Sequence, residues 1–172
     1  MAETLLSRVR EMVAQVRRNH ALEHATIHLL SQRYRNIRVV GRSTPRGFVL
    51  YGDLSTDAVL EAAQEALALL KAGRQDLAVH PFCGTNAVAA GTLAGLGAFL
   101  VLTPRRRNLS EWLGRLPTVL LIATLASIVG QRLGLALQTT LTTDPRVGNL
   151  RIVAVVREEY GPTVAHYVYT EG

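Results

Sequence analysis

Two long apolar runs constrain this chain more than any other feature of it. Residues 84–103 read GTNAVAAGTLAGLGAFLVLT and residues 116–137 read LPTVLLIATLASIVGQRLGLAL, with Arg132 the one charge in the pair. At 1.5 Å per residue each can cross a hydrocarbon core of about 30 Å, which takes about 20 residues. Apolar helices in the centre of a soluble bundle usually keep a polar stripe, and neither run shows one, so the membrane reading is preferred. These runs also explain why the mean hydropathy is positive although 19% of the 172 residues are charged.

The punctuation around them suits a helical hairpin in a lipid bilayer. Pro81 precedes the first run, Pro104 ends it, and Pro117 stands where a first-turn proline would start the second. The connection TPRRRNLSEWLGR carries three consecutive arginines, Ser110 as an expected cap and Trp112 as an interfacial residue. Gly91 and Gly95 form a GxxxG, extended by Ala87, whose spacing lets helix backbones approach and points to a homo-oligomer.

Outside the hairpin the chain reads as a small α+β domain. Residues 4–33 pattern as a long amphipathic helix whose stripe of Leu5, Val9, Val13, Val16 and Ile27 is expected to pack against the sheet. Two short strands, Ile37 to Val40 and Phe48 to Tyr51, flank the turn-rich GRSTPRG. The segment LSTDAVLEAAQEALALLKAG is a helix capped by Ser55 or Thr56 and stopped by Gly73, and a short run from Leu77 to His80 follows it. LRIVAVV and TVAHYVYT around EEYGP read as a β-hairpin. The organisation is therefore residues 1–83 as the first part of the α+β domain, 84–137 as the membrane hairpin, and 138–172 completing the domain. An even number of crossings returns the chain to the side it left.

The single Cys excludes an internal disulfide framework. The net charge of +6 divides evenly: residues 1–83 hold 11 basic and 8 acidic side chains, and the loop 104–116 holds 4 and 1. A nucleic-acid binder would carry a basic stripe interleaved with aromatics, whereas these arginines are dispersed among acids, so no nucleic-acid partner is expected. The arginine cluster argues by the positive-inside rule for a cytoplasmic loop. MAETLLSRVREM, however, has no apolar signal core, and exporting the basic N-terminal part without one is the less plausible event; the soluble domain is expected in the cytoplasm.

The chemistry concentrates in NHALEHATIHLL, residues 19–30. Imidazoles at His20 and His24 project side by side one helical turn apart and can grip one ion, while Glu23 can take a proton from metal-bound water. On the helical wheel, with Val9 at zero, His20 falls at about 20°, Glu23 at about −40° and His24 at about 60°, within the apolar stripe; His28 lies on its margin at about 100°. Burying two imidazoles and a carboxylate is costly unless they bond one another or hold a metal. A zinc site needs a third ligand, and His80 and Cys83 in HPFCGTN are the clustered candidates. Both have plain structural readings as well, His80 as a helix-entry residue and Cys83 as a small buried side chain. Thr85 and Asn86 would cap the following helix.

The blocks NHALEHATIH, RGFVLYGD and HPFCGTN resemble an uncharacterised family of small bacterial integral membrane proteins, described as a domain of unknown function. That resemblance covers most of the chain and implies a membrane location without an activity. Locally, His20, Glu23 and His24 make the H-x-x-E-H order of the inverzincin metallopeptidases. This second resemblance is confined to five residues, and the downstream glutamate ligand of pitrilysin-type enzymes has no placed counterpart. Two functions follow as expectations. One is zinc-dependent hydrolysis near the membrane, as a metallohydrolase or peptidase with His20, His24 and His80 or Cys83 holding zinc and Glu23 as base. The other is a non-enzymatic scaffold or assembly factor with a structural His/Glu cluster.

Overall fold

A computed structural model describes the backbone of residues 2–103 and 109–172 and the side chains of 4–103 and 110–172. The chain divides into two units. The first comprises Met1–His80 with Thr139–Gly172, the second Pro81–Gln138.

The first unit is an α+β fold. Helix α1 (Ala2–Arg33) is followed by strands β1 (Val40–Thr44) and β2 (Gly47–Tyr51), helix α2 (Thr56–Lys71) and a 3₁₀ turn, Gln75–Ala78. After the insertion of the second unit come β3 (Arg151–Tyr160) and β4 (Thr163–Glu171). The sheet is antiparallel with order β1-β2-β4-β3, so the C-terminal hairpin adds to β2 through β4. Leu22, Ala25 and Leu30 of α1 meet Val59, Ala62, Ala63 and Ala66 of α2 and Phe48, Leu50 and Val168 of the sheet in one apolar core.

Local chemistry sets the boundaries. The Ser55 side chain accepts from the Ala58 amide at 3.2 Å to cap α2, and Gly73, at φ 94°, ends it. Gly161 at φ 60° with Pro162 makes the two-residue reversal between β3 and β4, so that Glu158, Glu159 and Tyr160, expected in the turn, belong to the strand. The first strand is likewise displaced from the expected Ile37 to Val40. Pro45 and Arg46 alone reverse the chain, which frees Gly41 to Thr44 to pair with β2. Leu77 and Ala78 form part of the 3₁₀ turn.

The amphipathic stripe of α1 departs furthest from expectation. Only its C-terminal half packs as foreseen: Ile27 is buried and Val16 half-buried, but Leu5, Val9 and Val13 are exposed. A helix of 32 residues is about 48 Å long and outruns both the 16-residue α2 and the short strands it packs against.

The second unit contains α3 (Gly84–Leu102), a short helix α4 (Leu109–Leu113) and α5 (Leu116–Leu137). Helices α3 and α5 are long and apolar enough to cross a membrane. Their flanks are open: Leu96, Phe99 and Leu100 on α3 and Leu120, Leu121 and Leu125 on α5 are all exposed. Pro117 sits in the first turn of α5 as expected, whereas Ser110 is the second residue of α4 and not its cap. Pro104 and the three arginines at 105–107 lie outside the described residues.

Within this unit the helices touch through Gly130 and Gly134 of α5, themselves four residues apart. A Cβ at Gly130 would stand 2.4 Å from Ala90 Cα, and one at Gly134 2.5 Å from Asn86 Cα. Beside them, the buried Gln138 amide donates to Asn86 Oδ1 at 2.7 Å, and Asn86 Nδ2 donates to the Pro81 carbonyl. A Cβ at Gly91 or Gly95, by contrast, meets nothing within 4 Å. In detergent dilute enough to keep the protein monomeric, Gly134→Leu should therefore spread the hairpin and lower its melting temperature, while Gly91→Leu leaves it unchanged; equal effects would contradict this packing.

Candidate metal centre

Several polar side chains on α1 bond to the sheet and to the two chain segments that leave and re-enter the first unit. Asn19, fully buried, donates to the Thr44 carbonyl at 2.8 Å and accepts from the Thr170 hydroxyl at 2.7 Å. Glu23, also buried, accepts a hydrogen bond from the Ser43 hydroxyl. It fits because β1 has no side chain at the next core-facing position: a Cβ at Gly41 would lie 2.1 Å from Glu23 Oε1. On the returning segment, Arg17 donates to the carbonyls of Thr140 and Thr143, and its own carbonyl accepts from the Asp144 amide.

The histidines continue this pattern. His20 Nδ1 lies 3.0 Å from the Thr142 carbonyl, His24 Nδ1 2.8 Å from the Ala78 carbonyl, and His28 Nε2 2.8 Å from the Val79 carbonyl. A carbonyl oxygen can only accept, so each of these nitrogens must carry its proton. In the neutral rings of His20 and His24 the lone pair therefore resides on Nε2. This is the tautomer of metal-ligating histidines whose other nitrogen is held by a backbone carbonyl.

Four imidazoles form a continuous cluster in the first unit. Ring centroids are 4.3 Å apart for His20 and His24, 5.7 Å for His24 and His80, and 4.8 Å for His28 and His80. Burial lowers the His80 pKa to about 4, and repulsion from His28 and His24 acts in the same direction. His80 is therefore neutral near pH 7.

Of the residues singled out in the sequence, the first unit brings together His20, His24 and His80 and seats Glu23 against β1. Cys83 belongs to the second unit, where it is the buried N-cap of α3 and its sulfur accepts from the Thr85 amide at 3.4 Å. Cys83, not Thr85 or Asn86, therefore occupies the cap position. His20, His24 and His80 are three imidazoles of one unit that could hold a metal ion. Imidazole ligands suit several first-row metals. His28, placed on the margin by the wheel, is a full member of the imidazole cluster. The signal for it was present, because His20, His24 and His28 recur every four residues along one face.

A second buried histidine stands apart. His166 on β4 is fully buried, and neither ring nitrogen has a hydrogen-bond partner among the described residues. Burial lowers its pKa, and Arg157, its register partner on β3, adds repulsion.

A family model described as a domain of unknown function (DUF6391) matches residues 15–155. An uncharacterized protein of Picosynechococcus sp. is 35% identical over an alignment 100 positions long that covers 50% of this chain and 48% of that protein. The chain thus spans about half the length of the curated relative it matches. No solved structure matches.

Two outcomes check this geometry. Gly41→Ala should cost about 1–3 kcal/mol by overpacking, and the cost should shrink in a Glu23→Ala background; equal costs in both backgrounds would show that the two residues do not compete for space. His80 and His166 have folded pKa values below the ordinary 6.5, so the unfolded chain binds more protons between that value and about 4. The melting temperature of metal-free protein should hold above pH 6.5 and fall on acidification toward 4; one that rises over that window would contradict the burial of these rings.

Proposed function

The chain belongs to the DUF6391 family, a domain of unknown function, and on that premise we propose that it is a membrane-anchored metal-binding protein whose His20, His24 and His80 hold one transition metal ion, zinc foremost. The observation that carries this reading is the pair of carbonyl-held imidazoles. Thr142 and Ala78 each hold an Nδ1 proton on rings 4.3 Å apart, which sets the lone pair of each neutral ring on Nε2. His80 stands beside His24 as the third imidazole.

Membrane anchoring is part of the proposal. Helices of 19 and 22 residues span about 28 and 33 Å, and their exposed Leu and Phe side chains are solvated by lipid rather than water. In this reading both α3 and α5 cross the bilayer and the α+β unit is cytoplasmic, a reducing compartment in which the lone thiol of the chain stays reduced. The open stripe of Ala87, Gly91 and Gly95 is then available to a second copy.

Hydrolysis is the reading that the H-x-x-E-H order favours. The metal would lower the pKa of a bound water, and Glu23 would take its proton. The hydrogen bond from Ser43 to Glu23 favours a scaffold, in which the carboxylate joins α1 to β1. Purified full-length protein should retain about one equivalent of metal after a chelator wash. His24→Ala and His80→Ala should each abolish that retention, whereas Glu23→Gln should preserve it. Loss of peptide or ester hydrolysis in the metal-loaded Glu23→Gln protein marks an enzyme, and undiminished function marks a scaffold. Wild-type protein that retains no metal would refute both forms of the proposal.

A further inference from the structure

The first half of α1 presents an apolar face that its own unit leaves uncovered. Leu5, Leu6, Val9, Met12 and Val13 are between 48% and 67% exposed. At about 100° per residue, with Val9 at zero, these five and Val16 lie within about 60° of that direction on either side. Arg8 and Arg10, both exposed, stand on opposite margins, about 100° to each side of Val9. Glu11 points away from the face.

We infer that this half of α1 lies in the plane of an anionic lipid surface, its aliphatic arc among the acyl chains and Arg8 and Arg10 on headgroup phosphates. Three features select this occupant. Aliphatic side chains this exposed gain nothing in water, whereas a helix with a continuous apolar arc and basic margins is the form that binds a bilayer interface. Arginines on the margins can lay their stems along the apolar face and place their guanidinium groups at the headgroups, which is charge complementarity with anionic lipid. The first unit is also joined covalently at His80 and Thr139 to the apolar hairpin, so a bilayer spanned by that hairpin is already at hand. A second copy fits less well, because an arc about 120° wide exceeds a two-position coiled-coil seam and the exposed segment holds barely two heptads.

The inference rests on the proposed membrane anchoring, and one experiment separates the two. Full-length protein carrying Val9→Trp in a Trp112→Phe background is reconstituted into vesicles of phosphatidylcholine alone or with phosphatidylglycerol, with lipids brominated on the acyl chain as quenchers. The introduced indole should be blue-shifted and quenched in the anionic vesicles and much less so in the neutral ones. Each arginine near an anionic surface is worth about fivefold in partitioning, so Arg8→Glu with Arg10→Glu should lower the ratio of quenched to unquenched indole by about 25-fold or more. Protein that floats with both vesicles after alkaline carbonate, its indole unquenched in either, keeps the anchoring and overturns the helix assignment. Protein that floats only with anionic vesicles and is stripped by carbonate keeps the helix and overturns the anchoring. A blue shift that depends on protein concentration but not on lipid would assign the face to a second copy and overturn the inference.

Discussion

A backbone carbonyl accepts hydrogen bonds and cannot donate them, and the candidate site depends on that asymmetry. The chain leaves its α+β unit just after Ala78 and Val79 and returns just before Thr142. At both places a carbonyl is met by an imidazole from α1. The contacts hold the ends of the insertion against the helix, and the same contacts fix which nitrogen of each ring keeps its proton. Structural fastening and the choice of tautomer are here two results of one interaction. The preceding turn of α1 follows the same logic: Arg17 and Asn19 satisfy carbonyls of the returning segment and of β1 before the histidines begin.

This arrangement also accounts for a sheet whose strands are separated by a long insertion. The order β1-β2-β4-β3 places the last strand beside the second, so the sheet is complete only after the chain has come back. In a bilayer, two crossings satisfy that requirement and one would not. The glycines that let α3 and α5 approach are Gly130 and Gly134, on the helix where no such spacing was singled out.

Much of this was legible in the sequence. Periodicity, caps and turn residues located both apolar helices, α2 with its Ser55 cap and Gly73 stop, and the C-terminal hairpin. What was not legible depended on partners distant in sequence. Gly41 and Ser43 read as turn residues, yet they form strand because Glu23 needs the space of one and the hydroxyl of the other. The apolar face of α1 was visible, but where its cover ends depends on the lengths of α2 and the sheet, which no local pattern contains. In the candidate site the residue types and the four-residue spacing were readable. The tautomers were not, because they are set by carbonyls more than 50 residues away.

The central claim is that His20, His24 and His80 share one metal ion. X-ray absorption at the edge of the metal retained by the full-length protein tests it most directly. The account predicts a first shell with three imidazole nitrogens at about 2.0–2.1 Å. A first shell without imidazole scattering in the wild-type protein would contradict it.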